Sequence, residues 1–304
     1  MNIRRLLLVT IALLMGMAAS ATDIDRGTIY NRLRTLTDRQ LLDKGYALLQ
    51  HGGKTDSALI CYTIVVNRFY DGEQSEKSTD NTIVAMENLG NIYMTRLLDY
   101  RKAYEYLIQA RQLADSNGNK RHLAYIYLSL CNVWKMSMLT SGKQRDKYVA
   151  TLRKAFQYAW MSGDADIAAT ALVALCDEAL YAQPDMDVSN EVRQYSSMHK
   201  PKGTQLIAYA NCFAKATMLA QKHRYADAAR VFEASANMVD TRLAPERYHY
   251  ISLSNQAYVL FLAGRTSEAT DSLKALLNKA TKEHTRDYAM SITHLLHDMY
   301  TQMG

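Results

Sequence analysis

An all-α fold, built as a solenoid of antiparallel helix pairs, is what this sequence predicts. The first observation behind it is a period. Ala58, Ala103, Tyr148, Val188, Ala228 and Ala269 each open the same short helical pattern, and the steps between them are 45, 45, 40, 40 and 41 residues. Self-similarity at this length marks stacked units, each burying its face against its neighbours. The second observation is scarce punctuation: only 3 Pro and 13 Gly interrupt 304 residues rich in Ala, Leu, Met, Lys and Gln, which argues for helix almost throughout. The third is a recurrence of small residues. Gly90, Ala103, Ala216, Ala228, Ala257 and Ala269 stand where two antiparallel helices must approach closely, and a larger residue four positions on fills the groove toward the next helix.

Residues 1–21 read as a secretory signal. Arg4 and Arg5 form a basic start, Leu6 to Met17 is an apolar run of 12 residues, and Ala19 to Ala21 is a small-residue cleavage site. The run is short for a membrane span. Residues 22–304 are then expected as one helical repeat domain of about six helix pairs and a lone C-terminal helix, exported to the periplasm or beyond.

A leading helix is expected around Ile29 to Leu36. The first pair has helices near Asp38–Gln50 and through Ala58, Tyr62 and Val65, with a turn at Gly52 and Gly53. Asp71 to Asp80 reads as a loop. In the second pair Leu89 to Tyr93 lie on the first helix, Asp99 and Tyr100 mark the turn, and Ala103, Leu107 and Ala110 line the second. The third has Leu130, Cys131 and Trp134, a break at Ser141 and Gly142, then Tyr148, Leu152 and Ala155. The fourth runs Ile167–Tyr181, is broken by Pro184, and resumes with Val188, Val192 and Tyr195. The fifth carries Ala216, then Tyr225, Ala228, Phe232 and Ser235. The sixth carries Ala257, then Gly264, Ala269, Leu273 and Leu276, and a last helix covers Asp287–Met303.

The formal net charge of +6 is spread without a basic run, so the concentrated patch that nucleic-acid binding needs is missing. Cys61, Cys131, Cys176 and Cys212 each fall on an apolar helix face, where free cysteine is a common small core residue. Cys131 and Cys176 hold equivalent places in successive units, which leaves a bridge between them open.

Leu89-Gly90-x-x-Tyr93 and Ala228-x-x-x-Phe232 resemble the two halves of the tetratricopeptide repeat, and the sequences from Ala58 to Tyr62, Ala103 to Leu107 and Ala269 to Leu273 are conservative variants. The resemblance covers roughly residues 40–303. Its period is longer than that family's usual length of about 34, and the family's closing proline is missing. HEAT and armadillo repeats have periods of about 40–47 but lack these spacings. The resemblance implies a right-handed superhelix. The whole chain is also similar to the sensor region of exported bacterial regulators that carry such repeats.

Motifs for catalysis, phosphate binding or a metal are not found, so neither an enzyme nor a cofactor is expected. His294 and His297 share a helix face, but two ligands do not make a metal site, and His249 reads likewise. The resemblance implies a concave groove lined by first helices that takes a peptide or protein. Matching positions are Glu87, Asn91 and Met94 in the second pair, Tyr125, Asn132 and Lys135 in the third, Phe213, Thr217 and Gln221 in the fifth, and Tyr258 and Phe261 in the sixth. Asn91 and Asn132 loosely resemble carboxylate-gripping asparagines of some relatives, whereas Glu87 has the wrong charge for that clamp. The 21 Tyr, against 5 Phe and 2 Trp, suit binding surfaces as well as packing. The expected function is a non-enzymatic extracytoplasmic scaffold for a protein or peptide partner. The alternative is the sensor ectodomain of a split or truncated membrane-bound regulator. A homodimer through the C-terminal helix is a further expectation.

Overall fold

Among residues 27–52, 54–72, 76–141, 145–181, 185–198, 205–238, 247–283 and 285–304, which the computed structural model of the chain describes, every regular element is a helix. Helical residues 27–33 form α1. They are followed by α2 (Asp38–Gly52), α3 (Thr55–Tyr70), α4 (Glu76–Thr95), α5 (Tyr100–Ser116), α6 (Lys120–Ser141), α7 (Arg145–Ser162) and α8 (Ala165–Tyr181). Then come α9 (Ser189–Ser197), α10 (Gln205–Gln221), α11 (Tyr225–Met238), α12 (Arg247–Leu262), α13 (Thr266–Lys282) and α14 (Arg286–Met303). The expected signal segment, residues 1–21, lies outside the described residues, as do Gly53, Gly142 and Pro184.

Short-range chemistry sets these boundaries. Thr37 and Gln40 form a reciprocal capping box at the start of α2: the Thr37 amide donates to Gln40 Oε1 (2.9 Å), and the Gln40 amide donates to Thr37 Oγ1 (3.3 Å). Asp99 caps α5 by accepting from the Lys102 amide at 3.0 Å, Asn119 caps α6 through the His122 amide at 3.2 Å, and Asp164 caps α8 through the Ile167 amide at 3.1 Å. Helix α4 begins at Glu76, inside the stretch expected as a loop, because Glu and Lys are good helix formers and no proline interrupts the residues that follow.

One helix stop recurs. Asn119, Asp164, Arg224 and Arg265 each donate their amide to the carbonyl five residues back, at 2.9–3.0 Å. The residue before each has a left-handed backbone: Gly118 (φ 66°), Gly163 (φ 72°), His223 (φ 56°) and Gly264 (φ 78°). Leu98 (φ 54°) takes the same conformation before Asp99, whose amide reaches back to the Tyr93 carbonyl at 2.9 Å.

The chain divides into two compact units, Met1–His122 with Lys135–Thr140, and Leu123–Trp134 with Ser141–Gly304. In the first, α2 to α5 pack each on the next, and α2 also touches α4. In the second, neighbours pack in the same way from α7 to α14, and α8 reaches past the nine-residue α9 to pack on α10, while α12 also meets α14. The periodic residues form the cores. Ala58, Ala103, Ala228 and Ala269 are fully buried, as are Tyr62, Leu107, Leu152, Phe232 and Leu273. In the short fourth pair Val192 is only half-buried, and Tyr195, three residues on, fills the core instead.

Candidate functional site

In the first unit Gly45 of α2 and Gly90 of α4 are 45 residues apart and do the same work. A β-carbon at Gly90 would lie 2.7 Å from Leu107 Cγ and 3.3 Å from the Ala103 carbonyl oxygen, so only glycine lets α5 approach this closely. At Gly45 the partner is an aromatic ring: a β-carbon would lie 2.7 Å from Tyr62 Cζ. The phenol end of Tyr62, a residue of α3, thus crosses the backbone of α2 in the space a side chain would fill.

A cleft of about 390 Å³ opens at this place. Helix α2 contributes Arg39, Leu42, Asp43 and Tyr46, one or two turns apart. Tyr62 comes from α3. Helix α4 contributes Asp80, Asn81, Val84 and Asn88, and His122 stands in the first turn of α6. Leu42 and Val84 are the aliphatic walls, and the other lining residues are polar or aromatic. Tyr62 is 1% exposed, and its hydroxyl meets no hydrogen-bond partner. Burial, with Cys61 and Tyr46 nearby, pushes that phenol up to about 12.

Two anchors hold the cleft's shape. Asp80 Oδ1 accepts from the side-chain amides of Asn117 (3.1 Å) and Asn119 (3.3 Å), tying the start of α4 to the turn after α5. His122 Nδ1 lies 3.0 Å from Glu87 Oε1, and Glu87 is buried. Burial raises the Glu87 carboxyl above its ordinary value, and the bond to Glu87 raises the His122 imidazole, so the pair keeps hold of a proton. Arg39 and Asp43 pair at 3.3 Å on the solvent side, where such a pair contributes little.

No protein-family model matches this chain, and no curated protein matches it.

The eleven residues expected to line a groove fall in several settings. Glu87 is taken by His122, and Met94 is buried in the first unit, leaving Asn91 half-buried beside them. The open face of α4 is the one carrying Asn81, Val84 and Asn88; one residue along a helix turns the side chain by about 100°, which separates Asn88 from Glu87. Lys135 is exposed, as are Tyr125 and Asn132.

Phe213 and Thr217 are fully buried in the second unit and so present no surface. Phe213 packs edge-on against Phe232 at 5.0 Å, and Thr217 donates to the Phe213 carbonyl at 3.2 Å. Gln221 donates to the Met186 carbonyl at 2.9 Å, fastening the segment before α9. Tyr258 and Phe261 do lie together, with ring centres 6.5 Å apart, but Tyr258 also packs on Tyr181 at 4.6 Å. That contact belongs to a seam between α8 and α12, where Asn255 Nδ2 donates to Asp177 Oδ1 at 3.0 Å and Thr170 meets the Tyr248 hydroxyl at 3.3 Å. The face of α12 expected to be open is therefore partly covered by α8.

All four cysteines are free thiols, Cys131 and Cys176 among them. Among the described residues no group of three or more His, Cys, Asp or Glu is placed to hold a metal ion, and no helix is long and apolar enough to cross a membrane.

The sequence did hold a signal for the cleft. Gly45 repeats Gly90 at the 45-residue step, and the Thr37–Gln40 capping box fixes where α2 begins. What it lacked was the reach of Tyr62 from the second helix of the pair into the cleft.

Proposed function

We propose that this chain is a non-enzymatic scaffold that seats a segment of a protein or peptide partner on the faces of its first helices, and that it works outside the cytoplasm after loss of residues 1–21. The proposal includes the finer architecture implied by the tetratricopeptide resemblance, a right-handed solenoid of antiparallel pairs. The observation that carries it is the cleft of the first unit. Leu42 and Tyr46 from α2, Val84 and Asn88 from α4 and His122 from α6 meet around about 390 Å³, a volume in the range of ligand sites. Tyr46 is 60% exposed and offers the large, stiff amphipathic surface typical of recognition residues. The recurring turns and buried alanine columns support the repeat reading, since each pair repeats one local solution.

The test is a peptide array probed with the purified chain and with its Tyr46→Ala and Asn88→Ala variants. Both side chains lie on the cleft rather than in the core, so thermal stability should hold within about 0.5 kcal/mol. Binding to the selected peptides should fall about ten-fold or more, as for a central contact residue. Equal binding by both variants and the parent would remove the cleft from the function.

A further inference from the structure

We propose that the cleft of the first unit seats one positively charged end group, an ammonium or guanidinium on an unbranched stem, supplied by a Lys or Arg side chain of the bound segment. The inference rests on the reading of the chain as a peptide-binding scaffold and adds the chemistry of the residue that is bound.

Charge is the first argument. Asp43 on α2 and Asp80 on α4 both line the cleft, and Asp43 is paired with Arg39. The Asp80 carboxylate is held by two neutral amides, Asn117 and Asn119, which orient it without cancelling its charge. Arg39 and Asp43 offset each other, and the proton of His122 is shared with Glu87, which leaves the Asp80 carboxylate as the charge of the lining. The lining is thus short of positive charge and would repel a carboxylate or phosphate, while a cation would gain an oriented partner in Asp80.

Acceptor capacity is the second. Tyr62 lines the cavity, and its hydroxyl is buried with no partner of its own. A buried polar atom left unpaired is costly, and a donor entering the cleft would relieve that cost. Asn81 and Asn88 add amide oxygens of the kind that accept from ammonium or guanidinium N–H groups.

Shape is the third. Leu42 and Val84 offer aliphatic walls, and the Tyr46 ring stands exposed at the edge. A Lys or Arg side chain matches that order, with an apolar stem along the walls and a charged head that an aromatic face attracts.

The experiment is calorimetric titration of the full chain with three capped pentapeptides, Gly-Gly-X-Gly-Gly with X as Arg, Gln or Glu, and with free diaminobutane. The expected result is that the Arg peptide binds about ten-fold or more tightly than the Gln peptide and that the Glu peptide binds weakest. Asp80→Asn and Tyr62→Phe should each weaken the Arg peptide by about ten-fold while leaving the Gln peptide unchanged. Tyr62→Phe removes the hydroxyl and keeps the ring, so a loss of binding in a variant that melts like the parent is a loss of recognition. Gln or Glu peptides binding as well as the Arg peptide would overturn the charge assignment and leave the peptide scaffold standing. Failure of all three peptides at millimolar concentration would overturn both. Diaminobutane binding tighter than the Arg peptide would keep the cationic chemistry and overturn a peptide as its source.

Discussion

Tyr62 Cζ lies 2.7 Å from the place a β-carbon of residue 45 would take, so the phenol and an alanine cannot both occupy α2's surface at Gly45 without a shift. Adding a methyl group in a helix normally helps by up to about 1 kcal/mol. Here the overpacking cost of about 1–3 kcal/mol should win, because the near atoms belong to a stiff ring. Gly45→Ala should lower the melting temperature and also disturb the cleft, whereas Gly90→Ala should lower stability through Leu107 and leave the cleft intact. Gly27→Ala, with nothing within 4 Å, is the control and should be neutral or mildly stabilising. Thermal melts of the three variants separate these cases.

Leu98 holds a left-handed backbone (φ 54°) while its side chain is 64% exposed. The conformation costs a non-glycine residue about 1–2 kcal/mol, and little packing offsets it. Leu98→Gly should therefore stabilise the chain by about 0.5–1 kcal/mol after the added freedom of the unfolded chain is counted. His223, with the same backbone, bonds its ring to the Tyr225 hydroxyl at 2.7 Å, so His223→Gly should yield less. Denaturant midpoints at unchanged slope would show it; a loss in Leu98→Gly would mean the turn is not strained.

Glu87 and His122 set a pH dependence of known sign. The folded state raises the pKa of both groups, the carboxyl by burial and the imidazole by its bond to Glu87. The folded chain therefore binds protons more tightly than the unfolded one, and stability falls as pH rises. The histidine share is fully present below the ordinary imidazole value of 6.5 and is lost as pH climbs through the raised folded value. The raised carboxyl acts in the same direction from 4.5 upward. Melting temperature should fall between about pH 5 and 8, and the double variant Glu87→Gln, His122→Gln should be flatter across that window. A parent profile as flat as the variant's would remove the pair from the pH response.

The four thiols should differ in reactivity. Cys61, Cys131 and Cys176 are buried, and burial pushes Cys61 up to about 11, Cys176 up to about 12 and Cys131 higher still. Cys212 is the least buried and its thiol donates to the Val231 carbonyl at 3.6 Å. Since the thiolate is the reacting form, iodoacetamide at mildly alkaline pH should label Cys212 first and the others only on unfolding. Mass spectrometry of the native chain checks the order, and early labelling of Cys176 would contradict its burial.

The helix order was legible because its causes are local. Asp99, Asn119 and Asp164 stand beside the amides they cap, and Gly118, Gly163 and Gly264 sit where the backbone must turn left-handed. The buried columns followed from period alone: Ala58, Ala103, Ala228 and Ala269 are all in the core. The fourth pair read worst because it is irregular, with a nine-residue α9 that touches α8 and α10 while those two pack directly on each other.

By itself the sequence determined the all-helical class, the positions of most helices and the small residues that let them approach. Those depend on capping, backbone conformation and spacing within one or two turns. Only the tertiary structure decided which faces remain open. Glu87 was closed off by a histidine 35 residues away, Tyr258 was met by Tyr181 across α8 and α12, and Tyr62 was admitted to the cleft over Gly45. Each outcome depends on the rotation of a helix about its axis and on side chains distant in the chain. A shift of one residue, about 100°, turns a surface position into a core one.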